Sequence, residues 1–503
     1  MLIFFIPFIY SRQHYQLISS FKPIQSQKDL FGRSVAFCSS NQRIVVGASW
    51  RKHPNDTNIR SGALYVFDYD FSTNQWSQTQ EIYPELHNNY QNSIVSILEL
   101  GSTVEISSDC NTIIAGAPYS DIVRLDNNST LNETGCVVIF KKEEGDKYFK
   151  QYHIGIPTDP IAGGGFGRSL SISPDGNIFS AANYNKFSES ALLFEGQVEV
   201  HMSVFNGTNL GWERYILTPP PQIRDGNRYR FGNKLQFLDA STLIVSTDDL
   251  QDKSISGVYI YKKTFNLTSN RSYWYIANDG INASSYGYNN IGEAFSIPST
   301  QQDFIALLAS NSTNYGIIFL SRNDVTDTWV KKYTVDLPPG STASQLYFCG
   351  ENQLAVTGRS ERRSKSIQKI NTLFMLTKSD SNGKFQLYDT IYMPPEDSQN
   401  DSLHLNFLSS FAWENEHCFR FAVGAMSKTG GSGQPHVAYE FGKVYVYQSS
   451  DFAMRMLSHY EVMPSIGLFF FAGLLIIILS SVIAFYIIKF KRRRQARNIS
   501  VQV

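Results

Sequence analysis

The sequence predicts an all-β fold, a seven-bladed β-propeller followed by one transmembrane helix, and three observations predict it. A short hairpin pattern recurs seven times along the chain. Further strand-like segments follow the copies, so that a repeat holds four strands. An uncharged stretch near the C-terminus is followed at once by basic residues. Internal repeats constrain an architecture more strongly than any single element does.

The recurring hairpin is clearest at Phe31–Ala48 (FGRSVAFCSSNQRIVVGA) and Phe166–Ala182 (FGRSLSISPDGNIFSAA). Small and apolar side chains alternate along its first half, which is the period of two expected of a strand. The Pro-Asp-Gly-Asn stretch of the second copy is typical of a tight turn, because Gly176 can adopt a positive φ. Both copies end in small residues, which lets another backbone come close.

Four strands per repeat, at a spacing of about 50–70 residues, indicate a β-propeller. The seven hairpins close at Gly47, Gly116, Ala181, Ser246, Ala309, Gly358 and Gly424. The third strands are expected at Ala63–Phe67, Cys136–Phe140, Gln197–His201, Val258–Tyr261, Ile317–Leu320, Leu373–Leu376 and Val444–Tyr447. The fourth strands are expected at Trp76–Pro84, Tyr148–Pro157, Trp212–Pro219, Trp274–Ala277, Trp329–Pro338 and Phe385–Pro394. A β-sandwich with accidentally similar hairpins would not explain seven copies in one strand order.

The N-terminal segment is predicted to complete the last blade. His14–Pro23 has the aromatic-Gln-Leu…Pro pattern of Phe385–Pro394, whereas no fourth strand follows the seventh copy. We therefore expect His14–Pro23 to pair beside Val444–Tyr447 and to close the ring of blades. Closure would remove an exposed sheet edge.

The motifs Phe-Gly, at Phe31-Gly32 and Phe166-Gly167, and Gly116-Ala117-Pro118 resemble the FG-GAP repeat of the integrin α-subunit head. The resemblance covers residues 13–448 and implies a seven-bladed propeller that binds partners outside the cell. That family often has Asp-x-Asp-x-Asp-Gly calcium loops between the first two strands. Most of the corresponding turns here hold a single carboxylate, and calcium needs six to eight oxygens. We therefore expect neither a metal site nor a cofactor.

The two chain ends predict a type I membrane protein. Residues 1–11 suit a signal peptide, although an ordinary apolar N-terminus is the alternative. The propeller is expected at 12–448 and a juxtamembrane linker at 449–465. Residues 466–488 lack charges and would make about 34 Å of helix, enough to span a bilayer. The basic tail, 489–503, places the C-terminus in the cytosol. A small-residue face of the helix, at Gly473, Ser480 and Ala484, could support lateral association.

Glycosylation and disulfide formation fit an extracytosolic ectodomain. Ten sequons precede the span, all in loops of the predicted propeller: Asn55, Asn127, Asn128, Asn132, Asn206, Asn266, Asn270, Asn282, Asn311 and Asn400. Four of the five cysteines lie at or beside a turn between first and second strands. The cross-blade pairs Cys38–Cys110 and Cys349–Cys418 are therefore possible, with free thiols as the alternative. A local pair between Cys110 and Cys136 would span about 20 Å, too far for a disulfide.

A binding function is predicted, and no enzyme. The sequence has no phosphate loop, no His-Glu-x-x-His motif and no nucleophile elbow. A net charge of zero argues against a nucleic-acid partner. Adhesion or recognition of an extracellular protein or glycan is the first hypothesis; a structural or sorting subunit is the second. A propeller glycosidase would need several acidic residues gathered at one mouth of the channel.

The expected binding loops are those joining second and third strands, which share a face with the loops leading into each blade. Because glycans are bulky, a partner is expected to avoid the sectors that carry sequons. The unglycosylated loops of blades three and six offer aromatic and basic residues, the types that dominate hot spots. These residues are Tyr184, Lys186, Phe187, Arg359, Arg362, Arg363 and Lys365. The alternative is that they are ordinary solvated loop residues.

Overall fold

The structure is a computed structural model that describes most of the chain before residue 450. The described residues are 15–22, 29–38, 40, 42–90, 93–183, 187–188, 193–194, 196–205, 210–217, 230–247, 256–266, 271–277, 280–282, 290–298, 303–310, 314–323, 328–363, 367–379, 381–392, 405–413, 418, 420–427 and 442–449. One compact unit, Leu17–Tyr447, contains the sheets. A second unit comprises the two chain ends, of which only 15–16 and 448–449 are described.

The described residues form strands throughout the first half of the chain. β1 is Tyr15–Phe21, and the first sheet comprises β2 (Phe31–Cys38), β3 (Arg43–Ala48), β4 (Ala63–Asp70) and β5 (Gln75–Ile82). The next eight strands are β6 (His87–Tyr90), β7 (Ser93–Ser96), β8 (Thr103–Ile106), β9 (Thr112–Ala117), β10 (Asp121–Arg124), β11 (Thr130–Leu131), β12 (Cys136–Lys141) and β13 (Lys150–Gly155). Of these, β8, β9, β12 and β13 form the second sheet. The third region holds β14 (Leu170–Ile172), β15 (Ile178–Asn183), β16 (Phe187–Ser188), β17 (Leu193–Phe194), β18 (Gln197–Phe205) and β19 (Leu210–Leu217). Its sheet is β14, β15, β18 and β19.

The second half repeats the same four-strand order. The fourth region holds β20 (Leu235–Asp239), β21 (Thr242–Thr247), β22 (Gly257–Asn266), β23 (Arg271–Ile276) and the short β24 (Ile281–Asn282), which also pairs with β22. The fifth sheet is β25 (Asn290–Ser296), β26 (Phe304–Ser310), β27 (Tyr315–Asn323) and β28 (Thr328–Asp336). The sixth is β29 (Thr342–Cys349), β30 (Gln353–Arg363), β31 (Ile367–Lys378) and β32 (Phe385–Tyr392). The seventh is β33 (Leu405–Trp413), β34 (Arg420–Ser427) and β35 (Lys443–Ser449), completed by β1.

Strands of neighbouring sheets contact one another around a cycle. β2 contacts β8, β8 contacts β14, and β14 contacts β20. β25 contacts β21 and then β29, and β29 contacts β33, which returns to β2. This arrangement is that of a β-propeller, so the predicted all-β class is confirmed.

The N-terminal strand closes the seventh sheet. β1 lies beside β35, as the sequence pattern predicted. Phe21 at the end of β1 is buried and stacks on Phe67 of β4, with ring centroids 4.5 Å apart. The same phenylalanine meets Trp76 of β5 edge to face. One strand therefore completes the seventh sheet and packs against the first.

The sequence did not reveal an inserted sheet at the second repeat. β6 and β7 precede that repeat, β10 and β11 lie between its second and third strands, and the four pair in the order β11-β10-β7-β6. Ile122 of β10 lies opposite Val95 of β7, and both are fully buried. These strands have only two to four residues each and come from two separate segments. A periodicity of two cannot be recognised over so few residues.

Two disulfides join neighbouring sheets. Cys38 bonds to Cys110 between the first and second sheets, with Cα atoms 5.7 Å apart. Cys349 bonds to Cys418 between the sixth and seventh sheets, with Cα atoms 5.5 Å apart. Cys136 is a buried free thiol on β12. It lies opposite Ala117 of β9.

Several sequence predictions concern parts of the chain that are not described. The signal peptide at 1–11, the linker beyond Ser449, the span at 466–488 and the tail at 489–503 all lie outside the described residues. Within the described residues, no helix has the length and apolar character needed to cross a membrane.

Candidate functional site

Glycines of neighbouring sheets contact each other in pairs. The backbone of Gly116 on β9 meets that of Gly167, which leads into the third sheet, and a Cβ on Gly116 would lie 2.0 Å from the Gly167 carbonyl oxygen. Gly47 and Gly101 meet in the same way, with a corresponding distance of 2.1 Å. Between the seventh and first sheets, a Cβ on Gly424 would lie 2.3 Å from the oxygen of Gly32. The Phe-Gly and Gly-Ala motifs are thus the two sides of one backbone contact.

Hydroxyl side chains form hydrogen bonds across the same inter-sheet contacts. Ser34 Oγ donates to the Gly101 carbonyl at 2.8 Å, and Thr103 Oγ1 donates to the Gly167 carbonyl at 2.7 Å. Ser410 Oγ donates to the Gly32 carbonyl at 3.0 Å. Gly101 and Gly167 both have φ near +90° (87° and 93°), which only glycine adopts easily. Loops that begin from these points are therefore held in a fixed relation across sheet boundaries.

An aromatic residue follows each of the first two Gly-Ala motifs and carries a stacked arginine. Trp50 lies three residues after Gly47, and the Arg60 guanidinium lies over its ring at 4.6 Å. Tyr119 lies three residues after Gly116, and the Arg168 guanidinium lies over its ring at 4.9 Å. Arg168 directly follows Gly167, so this contact crosses from the second sheet to the third. Such contacts are worth about 0.5–2 kcal/mol and limit the freedom of the arginine.

The carboxylate of Glu99 lies among these cations. The Trp50 indole donates a hydrogen bond to it, and the charges of Arg33, Arg60 and Arg168 all act on it. Burial nevertheless raises the pKa of Glu99, with those charges and the indole opposing the shift. We call this set the arginine–aromatic cluster: Arg33, Trp50, Arg60, Glu99, Tyr119 and Arg168.

Backbone hydrogen bonds support the cluster from both sides. Glu99 N–H donates to the Arg60 carbonyl at 3.0 Å, and Leu100 N–H donates to the Ser61 carbonyl at 2.9 Å. Trp50 N–H donates to the Asp29 carbonyl at 2.9 Å. Arg33 and Arg60 are exposed, whereas the other cluster members are half-buried. The cluster therefore presents two arginine side chains to solvent on a rigid support.

Among the expected binding residues, only Arg359 has a described side chain. It is exposed, and its Nε donates to Asn371 Oδ1 at 3.1 Å. The predicted loop after it is instead a longer hairpin, because β30 runs on to Arg363 and β31 starts at Ile367. Arg362 and Arg363 lie on this hairpin and Phe187 lies on β16, without described side chains. Tyr184, Lys186 and Lys365 lie outside the described residues.

The sequons lie mostly in loops where the chain is described. Asn55 is exposed in the loop that carries Trp50 and Arg60. Asn127, Asn128 and Asn132 are exposed around the β10–β11 hairpin of the inserted sheet. Asn266 is instead the last residue of β22, and Asn282 belongs to β24, so the expectation that every sequon falls in a loop is wrong at these two positions. Asn206, Asn270, Asn311 and Asn400 lie outside the described residues.

In hairpin turns at the opposite ends of the strands, aspartate carboxylates accept hydrogen bonds from residues of the same turn. Asp175 Oδ1 accepts hydrogen bonds from Ser173 Oγ and from the Asn177 backbone N–H, and its Oδ2 accepts one from the Asn177 side chain. Asp109 accepts the equivalent bonds from Ser107 and Asn111. Within the described part of the chain, no three His, Cys, Asp or Glu side chains gather in a way that could hold a metal ion.

Buried charged side chains connect sheets that are not neighbours in the cycle. Lys234 Nζ donates to the Leu346 carbonyl at 3.1 Å and lies 4.9 Å from the centre of the Tyr347 ring. Burial lowers the pKa of Lys234 to about 8. Glu105 accepts a hydrogen bond from Ile172 N–H, and burial raises its pKa to about 7. Lys234 and Glu105 also interact electrostatically, so buried side chains of the second, fourth and sixth sheets act on one another.

Comparison with known proteins gives one family match and several distant structural similarities. Residues 25–67 match the family model described as an FG-GAP repeat, which confirms the resemblance at the first repeat. No curated protein matches the chain. The RRP9 WD40 repeats align over 87% of this chain and 100% of theirs, with 7% identity and a TM-score of 0.47. Saccharomyces cerevisiae Sqt1 aligns over 86% and 98%, with 8% identity and a TM-score of 0.38. A Lactobacillus plantarum protein aligns over 61% and 85%, with 10% identity and a TM-score of 0.32.

Proposed function

We propose that this protein is a recognition protein of the cell surface or of an endomembrane, whose seven-bladed FG-GAP propeller binds a partner protein. The seven sheets of one strand order and the cycle of contacts between neighbouring sheets support the blade number. The propeller is placed outside the cytosol, on a single type I span at 466–488. The sequons and the two disulfides support that compartment, because disulfides persist in oxidising environments.

The arginine–aromatic cluster is the observation that carries the binding function. Its residue types, arginine, tryptophan and tyrosine, are those enriched at interface hot spots. Stacking of Arg60 on Trp50 and of Arg168 on Tyr119 reduces the entropy that binding must remove from these side chains. Loops on a rigid scaffold are the usual place for recognition.

The cluster lies in a sector that carries sequons, in contrast to the expected loops of blades three and six. Asn55 shares its loop with Trp50 and Arg60. Glycans in this sector would border the interface and limit its extent. If the partner binds the cluster, substitutions at Trp50 and Tyr119 should abolish binding. If it binds the loops of blades three and six, substitutions at Arg359, Arg362 and Arg363 should do so instead.

Binding is tested with the full-length chain, tagged after Val503 and expressed in cells. Partners are captured through the tag after detergent lysis, and capture is compared between wild type, a Trp50→Ala/Tyr119→Ala variant and an Arg359→Glu/Arg362→Glu/Arg363→Glu variant. We expect loss of capture in the first variant and retention in the second, at equal surface expression. The reverse result would place the site on blade six, and no specific capture by wild type would argue against recognition.

Topology is tested with the same tag. Antibody should reach the tag only after permeabilisation, because the basic tail is expected in the cytosol. Glycosidase treatment should shift the electrophoretic mobility of the chain. A tag that is reachable on intact cells would overturn the proposed orientation.

A further inference from the structure

We propose that a cavity between the first and second sheets binds a small organic anion, with an oxyanion head group on an apolar or aromatic body. The cavity has a volume of about 420 Å³. Small-molecule sites are typically about 300–1,000 Å³. Residues of both sheets line it: Arg43, Val66, Asp68, Thr79, Gln80, Lys142, Lys147, Tyr148 and Phe149. Arg43 begins β3, whereas Trp50 follows its end, so this site is separate from the arginine–aromatic cluster.

Contacts between the two sheets hold the walls of the cavity in place. Gln80 Nε2 donates to the Phe149 carbonyl, and the Phe149 N–H donates to Gln80 Oε1, both at 2.9 Å. Arg43 Nη1 donates to the carbonyl of Cys110 at 2.8 Å, beside the Cys38–Cys110 disulfide. The Arg43 guanidinium also lies over the Phe149 ring, 5.1 Å from its centre. A cavity that is fixed before a ligand arrives costs less entropy to occupy.

The buried charges of the lining already pair with each other. Arg43 Nε donates to Asp68 Oδ1 at 2.6 Å, and its Nη2 donates to Asp68 Oδ2 at 3.3 Å. Thr79 Oγ1 donates to the same Oδ2 at 2.9 Å. The charges of Arg43 and Asp68 therefore offset each other, and Lys142 and Lys147 supply the net positive charge of the lining.

The hairpin loop that carries the two lysines also contains carboxylates, none of which lines the cavity: Glu143, Glu144 and Asp146. Asp146 Oδ1 accepts a hydrogen bond from Lys150 Nζ at 2.7 Å. The charge of Lys150 lowers the pKa of Asp146 more than that of Lys142 does. Within the described part of the chain, the Lys142 ammonium has neither a hydrogen bond nor an ion pair. An anion in the cavity would supply the missing partner.

Apolar and aromatic side chains form the rest of the lining. Val66 and Phe149 are buried, whereas Tyr148 is 45% exposed. The Lys147 ammonium lies over the Tyr148 ring at 5.0 Å, so the positive charge adjoins an aromatic surface. An apolar body can pack on these rings while its head group meets the lysines. Because a lysine is a compact point charge without the fork of arginine, the head group can be a carboxylate or a phosphate.

The test uses the full-length chain in neutral detergent micelles and two fluorinated probes of the same shape. One is 4-(trifluoromethyl)benzoate, and the other is the neutral 4-(trifluoromethyl)benzamide. Broadening of the fluorine resonance measures binding, with empty micelles as the blank. We expect the benzoate to bind about tenfold more tightly, because the amide lacks the charge that both lysines attract. Benzoate and phenyl phosphate are then compared as competitors, and the stronger one identifies the preferred head group.

Variants of the lining separate the contributions of charge and aromatic surface. Lys142→Gln and Lys147→Gln should each weaken benzoate binding about two- to fivefold, and the double variant about tenfold. Tyr148→Ala should weaken both probes, because it removes aromatic surface. Lys141→Gln is the matched control: it removes the same charge from the neighbouring position, but the Lys141 ammonium lies over Tyr152 at 4.6 Å and outside the lining. Thermal unfolding confirms that each variant is folded.

The proposal is overturned if the benzoate and the benzamide bind equally, or if neither binds. Equal losses in Lys141→Gln and Lys142→Gln would reduce the effect to general charge. Displacement of the probe by inorganic phosphate as readily as by phenyl phosphate would leave no role for the apolar body. The capture experiment with the tagged chain does not depend on these results, so the recognition function is judged separately.

Discussion

At the residue scale, glycines decide how closely neighbouring sheets approach. Gly116 and Gly211 both lie on strands, but their surroundings differ. A Cβ on Gly116 would lie 2.0 Å from the Gly167 carbonyl oxygen, whereas a Cβ on Gly211 would meet only the Val204 oxygen at 3.9 Å. The first contact is backbone against backbone, so no side chain can move aside to relieve it.

We therefore expect Gly116→Ala to destabilise the protein by about 3 kcal/mol or more, by overpacking an inter-sheet contact. Gly211→Ala should be neutral or stabilising by about 0.4–1 kcal/mol, because it restricts only the unfolded chain. Both effects are measured by urea unfolding. Similar midpoints for the two variants would show that the glycine contact does not constrain the sheets.

His153 gives a second prediction at the residue scale, on how stability depends on pH. Its ring stacks on Trp212 with centroids 4.7 Å apart. Burial, followed by the nearby charges of His201 and Arg214, lowers the pKa of His153 to about 4. In the unfolded chain the pKa is about 6.5. As pH falls below about 6.5 the unfolded state binds a proton that the folded state does not, so stability is lost down to about pH 4.

We expect the wild type to lose about 1–3 kcal/mol more stability than His153→Gln between pH 7 and pH 4, since the side chain keeps some solvent exposure. The comparison with a variant matters because Asp29, whose pKa burial raises to about 6, acts in the opposite direction in both proteins. The measurement is the urea midpoint at each pH. Parallel pH profiles for the two proteins would contradict the prediction.

At the scale of elements, β1 (Tyr15–Phe21) is buried at its two end residues and more exposed between them. Phe21 is 8% exposed and stacks on Phe67, whereas Ile18 on the same strand is 42% exposed. We expect Phe21→Ala to cost about 3–5 kcal/mol, because it leaves a cavity beneath two aromatic rings. Ile18→Ala should cost less than about 0.5 kcal/mol.

Deletion of residues 12–24 should lower stability at least as much as Phe21→Ala. An unchanged melting temperature of the deletion variant would refute the closure of the seventh sheet by β1.

The inserted sheet shows where an element depends on more than its own sequence. Val95, Ile122 and Leu100 are fully buried and belong to the same core cluster as Ala117 and Cys136 of the second sheet. Its strands are stabilised by this burial and by each other. No local pattern in residues 85–131 predicts that two separated segments will pair, so only the folded chain reveals the sheet.

At the scale of the whole molecule, the disulfides and the free thiol give a direct test of cysteine pairing. Burial raises the pKa of Cys136 to about 12, and the side chain is fully buried. We therefore expect iodoacetamide to label no cysteine of the native protein and only Cys136 after denaturation without reductant. Mass spectrometry of the labelled peptides provides the measurement. Labelling of Cys38 or Cys349 in the denatured, unreduced protein would contradict the observed pairs.

The sequence by itself determined the number and order of strands in the repeats. The small-residue ends at all seven predicted positions lie on second strands, and the N-terminal segment lies beside β35. These features are local, because the alternation of side chains, the turn residues and the glycines can each be recognised in a short stretch of chain. Repetition then makes a weak local signal reliable, because seven copies must share one structure.

Tertiary structure alone decided which residues form the candidate site. Arg33, Trp50, Glu99 and Arg168 come from three different repeats and are separated by up to 135 positions. Their meeting depends on the distance between sheets, which the glycine contacts set, and no periodicity encodes that distance. Glycan position and residue type favour the loops of blades three and six instead, because these two criteria involve no contact between side chains. Side chains from distant repeats act together only once folding has placed their backbones within reach.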